Sequence, residues 1–137
     1  RLVDFLGHAD LAGFNQIAYD VPLWLAECRR HGITFELSGR HQVDAKVIFN
    51  TCETTWDRFL MGPRNLTAAV RHYCGRELPD AHSAEADTLA TVDVLLAQLQ
   101  RHPQLPKDVK GLADFCARNS DKNRDEEPVA KAGGAGA

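Results

Sequence analysis

A chain of 137 residues, 44% of them hydrophobic, is long enough for one domain with a real core. Its formal net charge of −3 neither argues for a nucleic-acid partner nor excludes one, because an acidic protein can still carry a local basic groove. Cys28, Cys52, Cys74 and Cys116 stand far apart without a C-x-x-C pair, which leaves out a zinc knuckle and a disulfide framework and reads as four free thiols in a reducing compartment.

The chain opens at Arg1, without Met, on RLVDFLGH, where Leu2, Phe5 and Leu6 already recur at helical spacing and Gly7 stands as a stop. The expectation is a chain that starts inside its domain, with an earlier part missing. No signal peptide and no apolar run near the roughly 20 residues of a membrane span is present, so a cytoplasmic protein is expected.

DLAGF (10–14) is short and apolar, which suits a buried strand. Asp20 reads as the N-cap of a helix that tolerates Pro22 in its first turn and ends on Arg29, Arg30 and Gly32. ITFELSG (33–39) suits a short extended piece, and HQVDAKVIFN (41–50) reads either as a strand or as a strand turning into a helix. Residues 51–64 read as a loop or an irregular helical insertion, and NLTAAVRHYCG (65–75) as a compact helix capped by Asn65 and stopped by Gly75.

The strongest helix spans 82–102, where Leu89, Val92, Leu96 and Leu99 repeat at three, four and three and predict a core-facing stripe. Pro103 and Pro106 end it, and residues 107–118 suit a last short helix. From Asn119 the composition turns charged and then Gly/Ala-rich, as in a disordered tail over 119–137.

His82 and Asp87 flank the start of that best helix. By itself the pair is what a capping histidine and a solvated carboxylate also make. Asn15 and Asp20, five apart at a strand-to-helix joint, change its weight. Together GFNQIAYD and AHSAEADTLAT resemble, in order and spacing, the second and third motifs of the DEDDh 3′-5′ exonuclease superfamily, which includes the proofreading epsilon subunit of bacterial DNA polymerase III, ribonuclease T and oligoribonuclease. VDAKVIF and NLTAAVRHYCG fall where that family has its next strand and helix, so the resemblance covers residues 2–118. The framework is similar to epsilon-like exonuclease domains more than to the compact RNA-trimming members. Residues 51–64 are longer than the family usually has there, which bears on the rim of the groove.

The resemblance implies an α/β, ribonuclease H-like fold lacking the first three strands of its sheet, with 1–118 a partial exonuclease domain. It implies metal-dependent hydrolysis of phosphodiester bonds at single-stranded DNA 3′ ends, as in proofreading or repair, with RNA as the other substrate and a DNA polymerase subunit as a partner. Asp20 and Asp87 would be carboxylate ligands of two Mg²⁺ or Mn²⁺ ions, His82 the base that takes a proton from the attacking water, and Asn15 a residue that positions the substrate strand.

One part of the pattern is absent. The family's first motif, an Asp-x-Glu on the first strand, supplies two further carboxylates well upstream. Here only fourteen residues precede Asn15, and Asp4 lies on the opening helix. The expectation is a fragment that is inactive alone, and the rival reading is a non-catalytic exonuclease-like scaffold or nucleic-acid-binding module. Other residues read as structural: Trp24 as core rather than a stacking platform, Asp44 as a strand-end turn residue, Glu85 as solvated, and Arg71 and Arg76 as helix surface. His31, His41, His72 and His102 show no spacing that suggests a metal site.

Overall fold

Two strands can pair in parallel only if the chain crosses over between them, and the first third of this chain makes that crossover. The structure, a computed structural model, describes residues 2–79 and 83–121. After α1 (Leu2–Leu6), β1 (Leu11–Gly13) leads into a wide π turn, Gln16–Asp20, that continues directly as α2 (Val21–Arg30). An irregular return reaches β2 (Gln42–Asp44), which pairs with β1 in parallel, Ala12 opposite Val43 and Gly13 opposite Asp44. ITFELSG makes no ladder of its own.

The π turn has a local cause. Pro22 has no N–H to give to the carbonyl four residues back, and its ring crowds that carbonyl. The helix widens just ahead of it. At its far end α2 closes as the Arg29 and Gly32 positions predict: Ile33 N–H donates to Cys28 O at 2.8 Å and Gly32 N–H to Arg29 O at 3.1 Å, with Gly32 at φ 68°. That pair of bonds needs a left-handed residue after the cap, which glycine adopts without a Cβ penalty.

α3 (Ala45–Cys52) follows β2 without a loop, so 41–50 is a strand turning into a helix. The insertion at 51–64 carries only α4 (Arg58–Met61). α5 (Leu66–Ala69) widens into a second π turn, Val70–Cys74, and α6 (Ala84–Arg101) is the longest element. A last helix, α7, runs over 109–121, three residues beyond the composition shift at Asn119. Residues 122–137 and His82 lie outside the described residues.

α3 is the centre of the molecule. Ala45 and Phe49 pack with Ala69, Val70, Tyr73, Ala90 and Val94 on one side, while Val47 and Ile48 pack with Leu105, Leu112 and Cys116 on the other. The result is a mixed α/β architecture, mostly helical around a small parallel sheet. No helix among the described residues is long and apolar enough to cross a membrane.

Two expectations need correcting. Leu89, Val92 and Leu96 of α6 are exposed, at 59%, 47% and 58%, and the core face is Ala90, Thr91, Val94 and Gln98. Small side chains let α6 approach α3, and the fully buried Gln98 donates from Nε2 to Ala45 O at 3.0 Å. Of the predicted stripe, Leu99 alone packs against the core. Asp20 is not an N-cap either: it is helical, in the continuous run from Gln16 to Arg30, and its side chain caps nothing.

Candidate functional site

β1, the first turn of the helix that follows it and the N-terminal half of α6 enclose a cleft of about 500 Å³. Asp20 and Asp87 both line it, from elements far apart in the chain. Asp20 reaches it because the helix begins five residues earlier than the sequence suggests, capped at Asn15 instead of Asp20, leaving the carboxylate exposed on the helix instead of folded back onto an N-terminus. Asp87 sits in the first turn of α6. Ser83 accepts Ala86 N–H at 3.0 Å to cap this helix, and Thr91 Oγ1 donates to Asp87 O at 2.9 Å.

The rest of the lining is largely apolar and includes Phe14, Val21, Trp24 and Leu95. Trp24 is half-buried and meets Phe35 edge-on at 5.8 Å, so it belongs to the cleft as well as to the packing. Gln16, 5% exposed, donates from Nε2 to Val43 O at 2.9 Å. Gln16 Oε1 and Trp24 Nε1 are buried without a hydrogen-bond partner among the described residues.

Asn15 stands at the mouth of the π turn with φ 70°, the one left-handed residue besides glycines among the described residues. Asparagine visits this region at lower cost than other non-glycine residues. Its own side chain makes no capping bond. The cap comes instead from Asp44: Asn15 N–H donates to Asp44 Oδ1 at 2.6 Å and Ile17 N–H to Oδ2 at 3.2 Å. Lys46 N–H donates to the same Oδ1 at 3.0 Å, so one carboxylate caps both the Gln16 helix and α3. Asp44 is fully buried. Burial pushes its carboxyl above the usual carboxylate range, against the pull of the backbone N–H donors.

A second polar cluster lies behind Phe49, and sequence spacing does not reveal it. Glu53 Oε2 stands 3.1 Å from His72 Nε2 and 3.1 Å from His102 Nε2, residues of three different segments. Arg101 is 2.8 Å from His72 Nε2, and the Tyr73 hydroxyl is 3.1 Å from His102 Nε2. These contacts engage Nε2 of both imidazoles. Among the described residues no group of three or more His, Cys, Asp or Glu is arranged to hold a metal ion.

The remaining candidates take surface roles. Arg71 is paired bidentately with Glu77 at 3.0 Å, Arg76 with Asp93 at 2.8 Å, and Glu85 is exposed. The cleft thus brings Asp20 and Asp87 together, while Asn15, between the lining residues Phe14 and Gln16, is not itself part of the lining.

Against known proteins, the chain is similar to Three-prime repair exonuclease 1 of Homo sapiens, with 34% identity over 97 residues. That match supports an exonuclease-like relationship. It takes in 69% of the chain and 30% of the human protein, so the chain spans less than a third of that relative's length. No family model and no solved structure matches it.

Proposed function

We propose that this chain forms part of a metal-dependent 3′-5′ exonuclease of the DEDDh type, built on a ribonuclease H-like sheet and acting on single-stranded DNA 3′ ends. The observation that carries the reading is the convergence of Asp20 and Asp87 on one cleft, in a chain related to a repair exonuclease. Two carboxylates are the hard oxygen donors that Mg²⁺ or Mn²⁺ takes, and they fit as part of its ligand set. They are the acidic residues among those that line the cleft. When bound, such ions would supply electrostatic stabilisation to the attacking and leaving oxygens of a phosphodiester displacement.

The chain's own residues divide the remaining work. Asp20 and Asp87 would hold the ions, Asn15 would position the substrate strand, and His82 would take the proton from the attacking water. The apolar wall of Phe14, Trp24 and Leu95 gives a base a surface to rest on, a contact worth about 1–3 kcal/mol for an aromatic partner.

Paramagnetic Mn²⁺ added to the ¹⁵N-labelled 137-residue chain tests this directly. The Asp20 and Asp87 amides broaden first and together, and Asp87→Asn abolishes both effects. If broadening starts elsewhere, the metal assignment is wrong and the non-catalytic scaffold takes its place. In the complete gene product, Asp87→Ala lowers trimming of a 5′-labelled oligonucleotide by orders of magnitude. His82→Ala lowers it within the roughly 10²–10⁴-fold range of a general base. Parallel DNA and RNA oligonucleotides decide the sugar.

A further inference from the structure

We propose that Asp44 is a positioning residue for this site, setting the places of Asn15 and Asp20 from the neighbouring strand. The inference rests on the reading of Asn15 and Asp20 as site residues. Its physical basis is a choice of side chain that helix capping alone does not require. α3 needs one acceptor for Lys46 N–H, and Ser or Asn would serve that end with less burial cost than a carboxylate that is 0% exposed.

What Ser and Asn cannot do is accept at two separate atoms: an Asn amide oxygen could take the Asn15 and Lys46 N–H groups, but its NH2 donates and leaves Ile17 N–H without an acceptor. Only a carboxylate has two acceptor oxygens and no donor. Asp44 uses Oδ1 for Asn15 and Lys46 and Oδ2 for Ile17, whose N–H lies 27 positions away in the chain. The Asn15 bond holds that residue in its left-handed conformation, and the Ile17 bond pins the second residue of the π turn that ends at Asp20. Because Asp44 also pairs with Gly13 across the ladder, the strand end, the αL residue and the carboxylate-bearing turn share one anchor. The Cys116 thiol next to the Asp44 backbone, with Asp44 N–H to Sγ at 3.3 Å, ties that anchor to α7.

The test uses Asp44→Asn and Asp44→Ser in the 137-residue chain, since both keep a cap for α3. Without metal, amide exchange at Ile17 should quicken at least about tenfold in both variants, and at Asn15 in Asp44→Ser, while Leu11 N–H, bonded to His41 O at 2.9 Å, keeps its protection. With Mn²⁺, the midpoint for broadening at Asp20 should rise roughly 10- to 100-fold, the range for residues that orient a metal ligand, and recover at high Mn²⁺. Asn65→Ala, which removes a cap of α5 remote from the anchor, is the control: it lowers stability and leaves the midpoint in place.

A midpoint unmoved in both Asp44 variants, or moved equally in Asn65→Ala, overturns the proposal. If the wild-type chain binds no Mn²⁺ at Asp20 and Asp87, the metal assignment fails separately. Exchange at Ile17 then decides the positioning claim, and unchanged protection sinks it.

Discussion

Glu53 shows how much one residue can gather. It ends α3, and its carboxylate meets His72 and His102 at 3.1 Å each, with Arg64 Nη2 donating to its carbonyl at 2.7 Å. Burial alone would raise its carboxyl, but hydrogen bonds from His72 and Tyr73 and the charge of the two imidazoles hold it below its ordinary value. Glu53→Gln should cost about 1–3 kcal/mol near neutrality, as expected when a buried hydrogen-bonding network loses its charged acceptor. As pH falls below the ordinary carboxylate value of 4.5, the unfolded chain takes up the Glu53 proton before the folded one does. That residue's contribution is therefore whole above 4.5 and lost on the acid side. Thermal melts of wild type and Glu53→Gln should accordingly converge as pH drops below about 4.5, and a gap that widens instead would remove Glu53 from this role. Asp44→Ala, which strips caps from two helix starts, should cost about 2–4 kcal/mol at about 1–2 kcal/mol per cap.

At the scale of elements, α6 separates what periodicity reveals from what it does not. Its three-four spacing marks a helix, and Ala84–Arg101 is one. Two adjacent faces of that helix carry apolar residues, and the one turned to α3 is the one with the smaller side chains. Val94→Ala should cost about 1–3 kcal/mol, a smaller truncation than Leu→Ala at about 2–5 kcal/mol. Leu96→Ser on the exposed face should change chemical-denaturation stability by no more than about 0.5 kcal/mol. Equal losses would mean that Leu96 is covered in solution. The π turn at Gln16–Asp20 is the other instructive element. Pro22 is legible in the sequence, but read as a first-turn proline it misplaces the helix start, because a cap supplied from β2 leaves no mark near Asn15.

The whole molecule is held by α3, whose two sides bind two hydrophobic clusters with Leu95 packed against both. One consequence is readable in the four thiols, none of which is in a disulfide. In the folded chain Cys52 and Cys74 should alkylate first, while Cys28 and Cys116, 4% and 0% exposed, wait for unfolding. Cys116 should be the slowest, because burial pushes its thiol up to about 11 and leaves little thiolate at neutral pH. Mass spectrometry of a timed alkylation reads the order, and early labelling of Cys116 would show that α7 opens independently of the rest. By itself the sequence determined the local elements: the short strand at DLAGF, the Gly32 and Gly75 stops, the Asn65 cap and the long helix before Pro103. Those elements are legible because capping and helical spacing act within a few residues, and the motifs GFNQIAYD and AHSAEADTLAT carried the exonuclease resemblance beside them. Only the tertiary structure decided that Asp20 and Asp87 share a cleft, that Asp44 caps a helix 27 residues upstream, and that Glu53 meets two histidines. Those contacts join segments with no common period, and they form only where burial of α3 brings the segments together.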